Sequence, residues 1–197
     1  CIRDRREDLK QGNKERGYQL TDFDKNKKVL LVMGGSLGSK KLNNIIRQNI
    51  EALLHDYQII HLTGKGLVDD SINKKGYVEF EFVKDDLTDL LAITDTVVSR
   101  AGSNAIYEFL TLRIPMLLIP LGLDQSRGDQ IDNAKNFESK GYGRHIPEDQ
   151  LTEVNLLQEL NDIELHRESI IKQMETYQES YTKEDLFDKI IHDALNK

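Results

Sequence analysis

The stretch "SRAGSNAIYEFLTLRIPMLLIP", Ser99 to Pro120, carries a turn, a helix and a strand in succession. It follows "TVVS", a short run rich in β-branched residues that reads as a strand. Gly102, Ser103 and Asn104 stand where a helix would start, and Ser103 to Leu112 has a helical apolar pattern. Pro115 then ends the irregular link, and "PMLLIPL" is a continuous apolar run of strand length. Two apolar strands joined through a helix form a right-handed parallel unit. One residue is out of keeping with that pattern. Glu108 puts an acid in an apolar helix, on the same face as Asn104.

The same alternation extends in both directions. "KKVLLVMGGS" carries the apolar run Val29 to Met33 and stops at Gly34-Gly35, as a buried first strand would. In "KKLNNIIRQNIEALL", Leu42, Ile45, Ile46, Ile50 and Leu53 share one helical face. "YQIIHLTG" and "YVEFEFV" read as the second and third strands, and "LTDLLAITD" as a short helix. "QIDNAKNFESKG" reads as a helix closed by Gly141, and "YGRHI" as a sixth strand. From about Glu148 the chain is charged with a helical period, enough for two or three helices to Lys197. Leu156, Leu157, Leu160 and Ile163 form the face that would pack on the sheet. The expected fold is α/β: a Rossmann-like, doubly wound parallel sheet with C-terminal helices. Residues 1–27 read as a charged linker or N-terminal extension and 28–197 as the domain, its terminal helices spanning about 150–197.

Composition narrows the function. Charged residues are 31% and hydrophobic residues 38%, a globular balance. The net charge of -7 argues against a general nucleic-acid binder. The single cysteine, Cys1, cannot form an internal disulfide, and no Cys/His spacing suits a metal. The five histidines are scattered, and His61, inside an apolar strand, reads as a satisfied core residue. No apolar run approaches the length of a membrane span. The opening "CIRDRREDLKQ" has no initiator Met, which suggests a piece of a longer protein.

In a doubly wound sheet, ligands bind at the carboxyl ends of the strands, near the reversal of strand order. The loops to weigh are therefore 34–39, 63–67, 82–87, 99–104 and 120–130. "GGSLGS" (Gly34 to Ser39) lets a backbone approach a ligand at a helix N-terminus, but it is neither a dinucleotide fingerprint nor a P-loop. A tight turn capped by Ser36 or Ser39 accounts for it equally well. Gly102, Ser103 and Asn104 repeat the arrangement. Glu108, a turn further on, is placed to accept from vicinal ribose hydroxyls beyond a diphosphate. Helix solvation, or a pair with Arg113, is the plainer account. Asp129, Gln130 and Asn133 offer polar groups of the kind that read sugars, though capping explains them too. Phe82 and Val83 close the third strand, where backbone groups could pair with a planar base.

Three of these segments together resemble one family. "GGSLGSKKLN", "TDTVVSRAGSNAIYEFLTLRIPMLLIP" and "DQIDNA", in this order and spacing, are similar to the C-terminal half of the MurG family. These are peptidoglycan N-acetylglucosaminyltransferases of the inverting GT-B class. The charged, polar style is similar to that of members from low-GC Gram-positive bacteria. The resemblance implies a donor-binding domain for UDP-N-acetylglucosamine, with no metal or cofactor. It implies transfer of GlcNAc to undecaprenyl-diphospho-MurNAc-pentapeptide (lipid I), giving lipid II, at the cytoplasmic face of the plasma membrane. The acceptor, the catalytic base and the membrane surface would belong to an N-terminal acceptor domain of the same parent chain. This chain alone would bind donor without catalysing.

By the same resemblance, Gly35, Ser36 and Gly38 approach the donor phosphate, and Gly102, Ser103 and Asn104 hold the diphosphate. Val83 pairs with uracil, with Phe82 beside it. Glu108 holds the ribose, and Asp129, Gln130 and Asn133 read the sugar. Leu87 lies near the next helix start, after one extra residue between Phe82 and Asp95, and Arg6 matches an arginine near the uracil at the domain linker, in a divergent stretch. Two departures are visible. "GGSLGS" replaces the usual GGSQGA, and Asp129 stands where His or Gln is usual. A stand-alone nucleotide-sugar-binding subunit of a split transferase, a related diacylglycerol glycosyltransferase and a non-catalytic module are the alternatives.

Overall fold

A computed structural model of the chain describes residues 9–35, 38–123 and 125–177. Its centre is a six-stranded sheet, all parallel, in the order β3-β2-β1-β4-β5-β6. The strands are β1 (Lys28–Met33), β2 (Tyr57–Leu62), β3 (Tyr77–Phe80), β4 (Thr96–Ser99), β5 (Met116–Leu118) and β6 (Gly143–His145). This is the classic Rossmann order, with the reversal between β1 and β4. The continuous apolar runs are explained by burial on both faces. Val29 to Val32, Ile59, Ile60, Val97, Val98, Met116 and Leu117 are all fully shielded.

The helices are α1 (Lys14–Thr21), α2 (Lys40–Gln48), α3 (Ile50–Asp56), α4 (Leu87–Ala92), α5 (Ser103–Leu112), α6 (Asp129–Ser139), α7 (Glu153–Leu165) and α8 (Arg167–Glu175). A 3-10 turn, Glu148–Gln150, precedes α7. Gly141 closes α6 as expected: at φ 73° its N–H reaches Glu138 O, and Tyr142 N–H reaches Phe137 O. Leu156, Leu160 and Ile163 of α7 are buried as their period requires. Of the helices expected to run to Lys197, α7 and α8 are described, and the remainder lies outside the described residues.

Three expectations change. The helix read as continuous from Lys40 to Leu54 is broken at Asn49, which caps α2. Its side-chain amide bonds Ile45 O at 2.8 Å, a local bond that competes with the helix ladder. The third strand stops at Phe80, so Phe82 and Val83 lie beyond it. Backbone bonds from Thr63 to Phe80 and Gly64 to Glu81 extend the pairing one residue further. The β2 side then turns away through Gly64 (φ 94°) and Gly66 (φ 70°), leaving nothing to pair with. The third change concerns the N-terminal stretch. From Leu9 it packs on the domain: Leu9 and Phe23 join the core, and α1 lies against α4. Asn13 N–H bonds the Asp89 carboxylate at 2.7 Å, and Arg16 pairs with Asp86 and Asp89.

Candidate functional site

The carboxyl ends of β1 and β4 flank the topological switch, and each leads into a helix through glycine. After β1, Gly34, Gly35 (φ 89°) and Gly38 (φ 72°) carry the chain to Ser39, the N-cap of α2. A Cβ at Gly38 would meet Thr63 O at 2.1 Å, so this turn packs directly on the end of β2. Gly35 has open space around it, so no packing contact demands glycine there. Ser36, expected at the phosphate, lies outside the described residues. Ser39 Oγ accepts from Leu42 N–H at 3.3 Å, the cap foreseen as one of two options.

After β4, Gly102 is the N-cap of α5 and supplies no side-chain bond to the helix. Ser103 and Asn104 are exposed at its first turn. This helix start therefore presents backbone N–H groups that no cap consumes. Glu108 is half-buried one turn along α5. Arg113, its suggested partner, reaches Glu175 at 3.5 Å.

The third group is held by backbone contacts. Gly128 (φ 93°) starts α6, with Asp129 exposed in the first turn. Gln130 Oε1 accepts from Leu121 N–H at 3.2 Å. Asn133 donates through Nδ2 to Ala101 O at 3.0 Å, tying α6 to the residue before Gly102. Each of these amides thus spends one end on a neighbouring loop. Phe82 is 67% exposed beyond β3, and Val83 is half-buried against the core. Leu123, 74% exposed, adds an apolar side chain between β5 and α6.

Arg100 and Glu148 were not singled out in the sequence. Arg100 is 6% exposed and Glu148 9%, and they form an ion pair. Arg100 Nη2 also donates to Ser39 Oγ at 2.7 Å, and Nη1 to Ile119 O at 3.0 Å. Glu148 Oε2 accepts from Gln125 Nε2 at 2.9 Å, and Lys41 Nζ bonds the Glu148 carbonyl. A second buried network lies under the β2 end. His61 Nδ1 meets the Tyr77 hydroxyl at 2.7 Å and Nε2 meets Asn43 Oδ1 at 3.1 Å. Glu79 accepts from Arg47 at 2.8 and 2.7 Å and from the Tyr77 hydroxyl. Burial lowers the His61 pKa to about 4. Burial pushes Glu79 up, but its bonds from Arg47 and Tyr77 leave its pKa lowered overall. His61 is thus the satisfied core histidine that the strand pattern implied.

A groove of about 1180 Å³ lies elsewhere, between α3 and α7, lined in part by Lys28, Glu51, Tyr57 and Glu164. Lys28 and Tyr57 begin β1 and β2, so this groove is at the amino-terminal edge, opposite the switch loops. Among the described residues no group of His, Cys, Asp and Glu could hold a metal ion.

Residues 29–190 match the family model described as "Glycosyltransferase family 28 C-terminal domain". The chain belongs to this family. A relative from Staphylococcus epidermidis is 99% identical over 98% of the chain, and one from Staphylococcus aureus is 72% identical over 97%. Both are named UDP-N-acetylglucosamine–N-acetylmuramyl-(pentapeptide) pyrophosphoryl-undecaprenol N-acetylglucosamine transferase. The chain spans 54% of the length of each. Among solved structures, Acinetobacter baumannii MurG shares the fold, with a TM-score of 0.61 and 22% identity over 80% of the chain and 47% of its own. The glycotransferase of kitacinnamycin does so with a TM-score of 0.63 and 20% identity over 76% of the chain and 38% of its own. The family 28 domain therefore has the expected architecture, a Rossmann-like parallel sheet with flanking helices that shares its fold with solved glycosyltransferases.

Proposed function

We propose that this family 28 domain is the donor-binding half of an inverting N-acetylglucosaminyltransferase. Its donor is UDP-N-acetylglucosamine. The acceptor is lipid I, presented by an N-terminal domain of the parent protein at the cytoplasmic face of the membrane. The observation that carries this reading is the pair of glycine-led helix starts on either side of the β1/β4 switch. One of them, α5, has no side-chain cap. Backbone N–H groups and two helix dipoles converging on one crevice suit a diphosphate.

In this reading Gly35, Ser36, Gly38, Gly102, Ser103 and Asn104 hold the diphosphate. Glu108 accepts from the ribose hydroxyls. Val83 pairs with the uracil through its backbone, and Phe82 lies beside it. Gln130 reads the sugar with Asp129, while Asn133, its amide bonded to Ala101 O, holds the loop that leads to α5. No cofactor or metal takes part. The domain supplies binding and orientation, while the catalytic base belongs to the acceptor half. No helix among the described residues is long and apolar enough to cross a membrane, which suits a peripheral enzyme.

Calorimetric titration with UDP tests the assignment. Glu108→Ala should weaken UDP about ten- to a hundred-fold, the loss of a charge-assisted hydrogen bond. Unchanged affinity in that variant would remove Glu108 from the ribose.

A further inference from the structure

We propose that Arg100 and Glu148 are positioning residues that hold the three donor loops in register, and that they do so without touching the donor. The proposal rests on the donor reading above. The loops after β1, β4 and β5 come from separate parts of the sequence, yet one buried ion pair joins them. Arg100 lies in the β4 loop itself, two residues before the α5 cap. Its Nη2 fixes Ser39, the cap of α2, at 2.7 Å. Its Nη1 fixes Ile119 at the end of β5 at 3.0 Å. Glu148, from the turn after β6, holds the same Nη2 and also Gln125 of the loop that leads to α6.

Chemistry explains why these two residue types are needed. A guanidinium is a flat fork that can serve several acceptors at fixed angles, which an ammonium cannot. Ser39 Oγ accepts from both Leu42 N–H and Arg100, so the hydroxyl that caps α2 is oriented by the fork. Moving the fork therefore turns the helix start that faces the switch. A buried ion pair is a poor source of stability compared with apolar side chains of the same volume. Nor is the network saturated for stability: Arg100 Nε is buried with no partner among the described residues. What this pair supplies in return is the relative placement of the α2 start, the α5 start and the α6 loop.

The test separates placement from stability. In the full chain, the double variant Arg100→Met/Glu148→Leu removes both charges at once, so neither is left buried alone. Arg100→Lys keeps the charge but loses the fork. Each is examined by UDP titration, thermal unfolding and amide hydrogen exchange. Both variants should unfold close to the native temperature. Both should bind UDP about five-fold or more weakly. Exchange should quicken at Ser39–Leu42 and Leu121–Gly128 while the strands stay protected. Native exchange in those two segments, in either folded variant, overturns the proposal. If the double variant does not fold, the Arg100→Lys exchange pattern decides. If the native chain itself binds no UDP, the donor reading falls, and the exchange pattern still decides whether the pair positions the loops.

Discussion

Gln130 and Asn133 share a helical face three residues apart, yet they are anchored to different loops. Gln130 braces Leu121, at the entry to the α6 loop, whereas Asn133 braces Ala101, next to the α5 cap. Their substitutions should therefore differ in kind. Gln130→Ala should weaken UDP-N-acetylglucosamine more than UDP if, as proposed, its amide reads the sugar. Asn133→Ala should weaken both ligands alike, because it frees the loop before α5, the helix proposed to hold the diphosphate. It should also cost about 1 kcal/mol, the usual value of one hydrogen bond, and lower Tm by roughly 2–4 °C. Paired titrations with the two ligands check this; a loss confined to the sugar nucleotide in Asn133→Ala would make Asn133 a sugar reader instead. Neither anchor is visible in the sequence. "DQIDNA" shows which amides share a face, but not that each has a backbone partner in another loop. Arg100 is a stronger instance. It stands inside the stretch that decides the fold, yet its partners Ser39 and Glu148 are 61 and 48 positions away. A guanidinium reads as surface until the sheet brings those partners to it.

Elements were more legible than contacts, for a physical reason. Strands buried on both faces are mostly apolar, so Val29–Met33 and Met116–Leu118 announce themselves, whereas β2 buries Gln58 and His61 among its apolar residues. At the sheet edge that rule weakens. β3 is only partly shielded, and its alternation runs past Phe80 although its pairing partner turns away. α1 shows the same limit. Its polar sequence reads as an extension, while its docking depends on glycines. A Cβ at Gly17 would meet Asp89 O at 2.4 Å, and one at Gly12 would meet Thr88 O at 2.1 Å. The helix thus approaches α4 backbone to backbone, and Asn13 and Arg16 then reach Asp89. Gly17→Ala should push the elements apart and cost roughly 1–3 kcal/mol, more than the gain in helix propensity returns. Urea unfolding measures the loss. A native or raised midpoint would mean that α1 is held by its charges alone.

Taken whole, the molecule carries a buried titratable network under the end of β2. His61, at 0% exposure, joins α2, β2 and β3 through Asn43 and Tyr77, with Glu79 at 3.7 Å. Its folded pKa, near 4 through burial, lies below the ordinary value of about 6.5. As pH falls through about 6.5 the unfolded chain takes up this proton and the folded chain does not. Stability from neutral His61 is therefore complete above that pH and is lost as pH drops toward 4. Glu79, whose folded pKa is also lowered, adds a loss in the same direction at lower pH. Between pH 6.5 and 5 the His61 contribution alone should fall by roughly 1.5 kcal/mol. His61→Gln keeps a polar side chain for Asn43 and Tyr77 but cannot titrate. Urea unfolding at pH 7.5, 6.5 and 5 should then show a steeper decline in the native chain than in the variant. Parallel declines would mean that the acid sensitivity arises at the surface carboxylates rather than in this buried network.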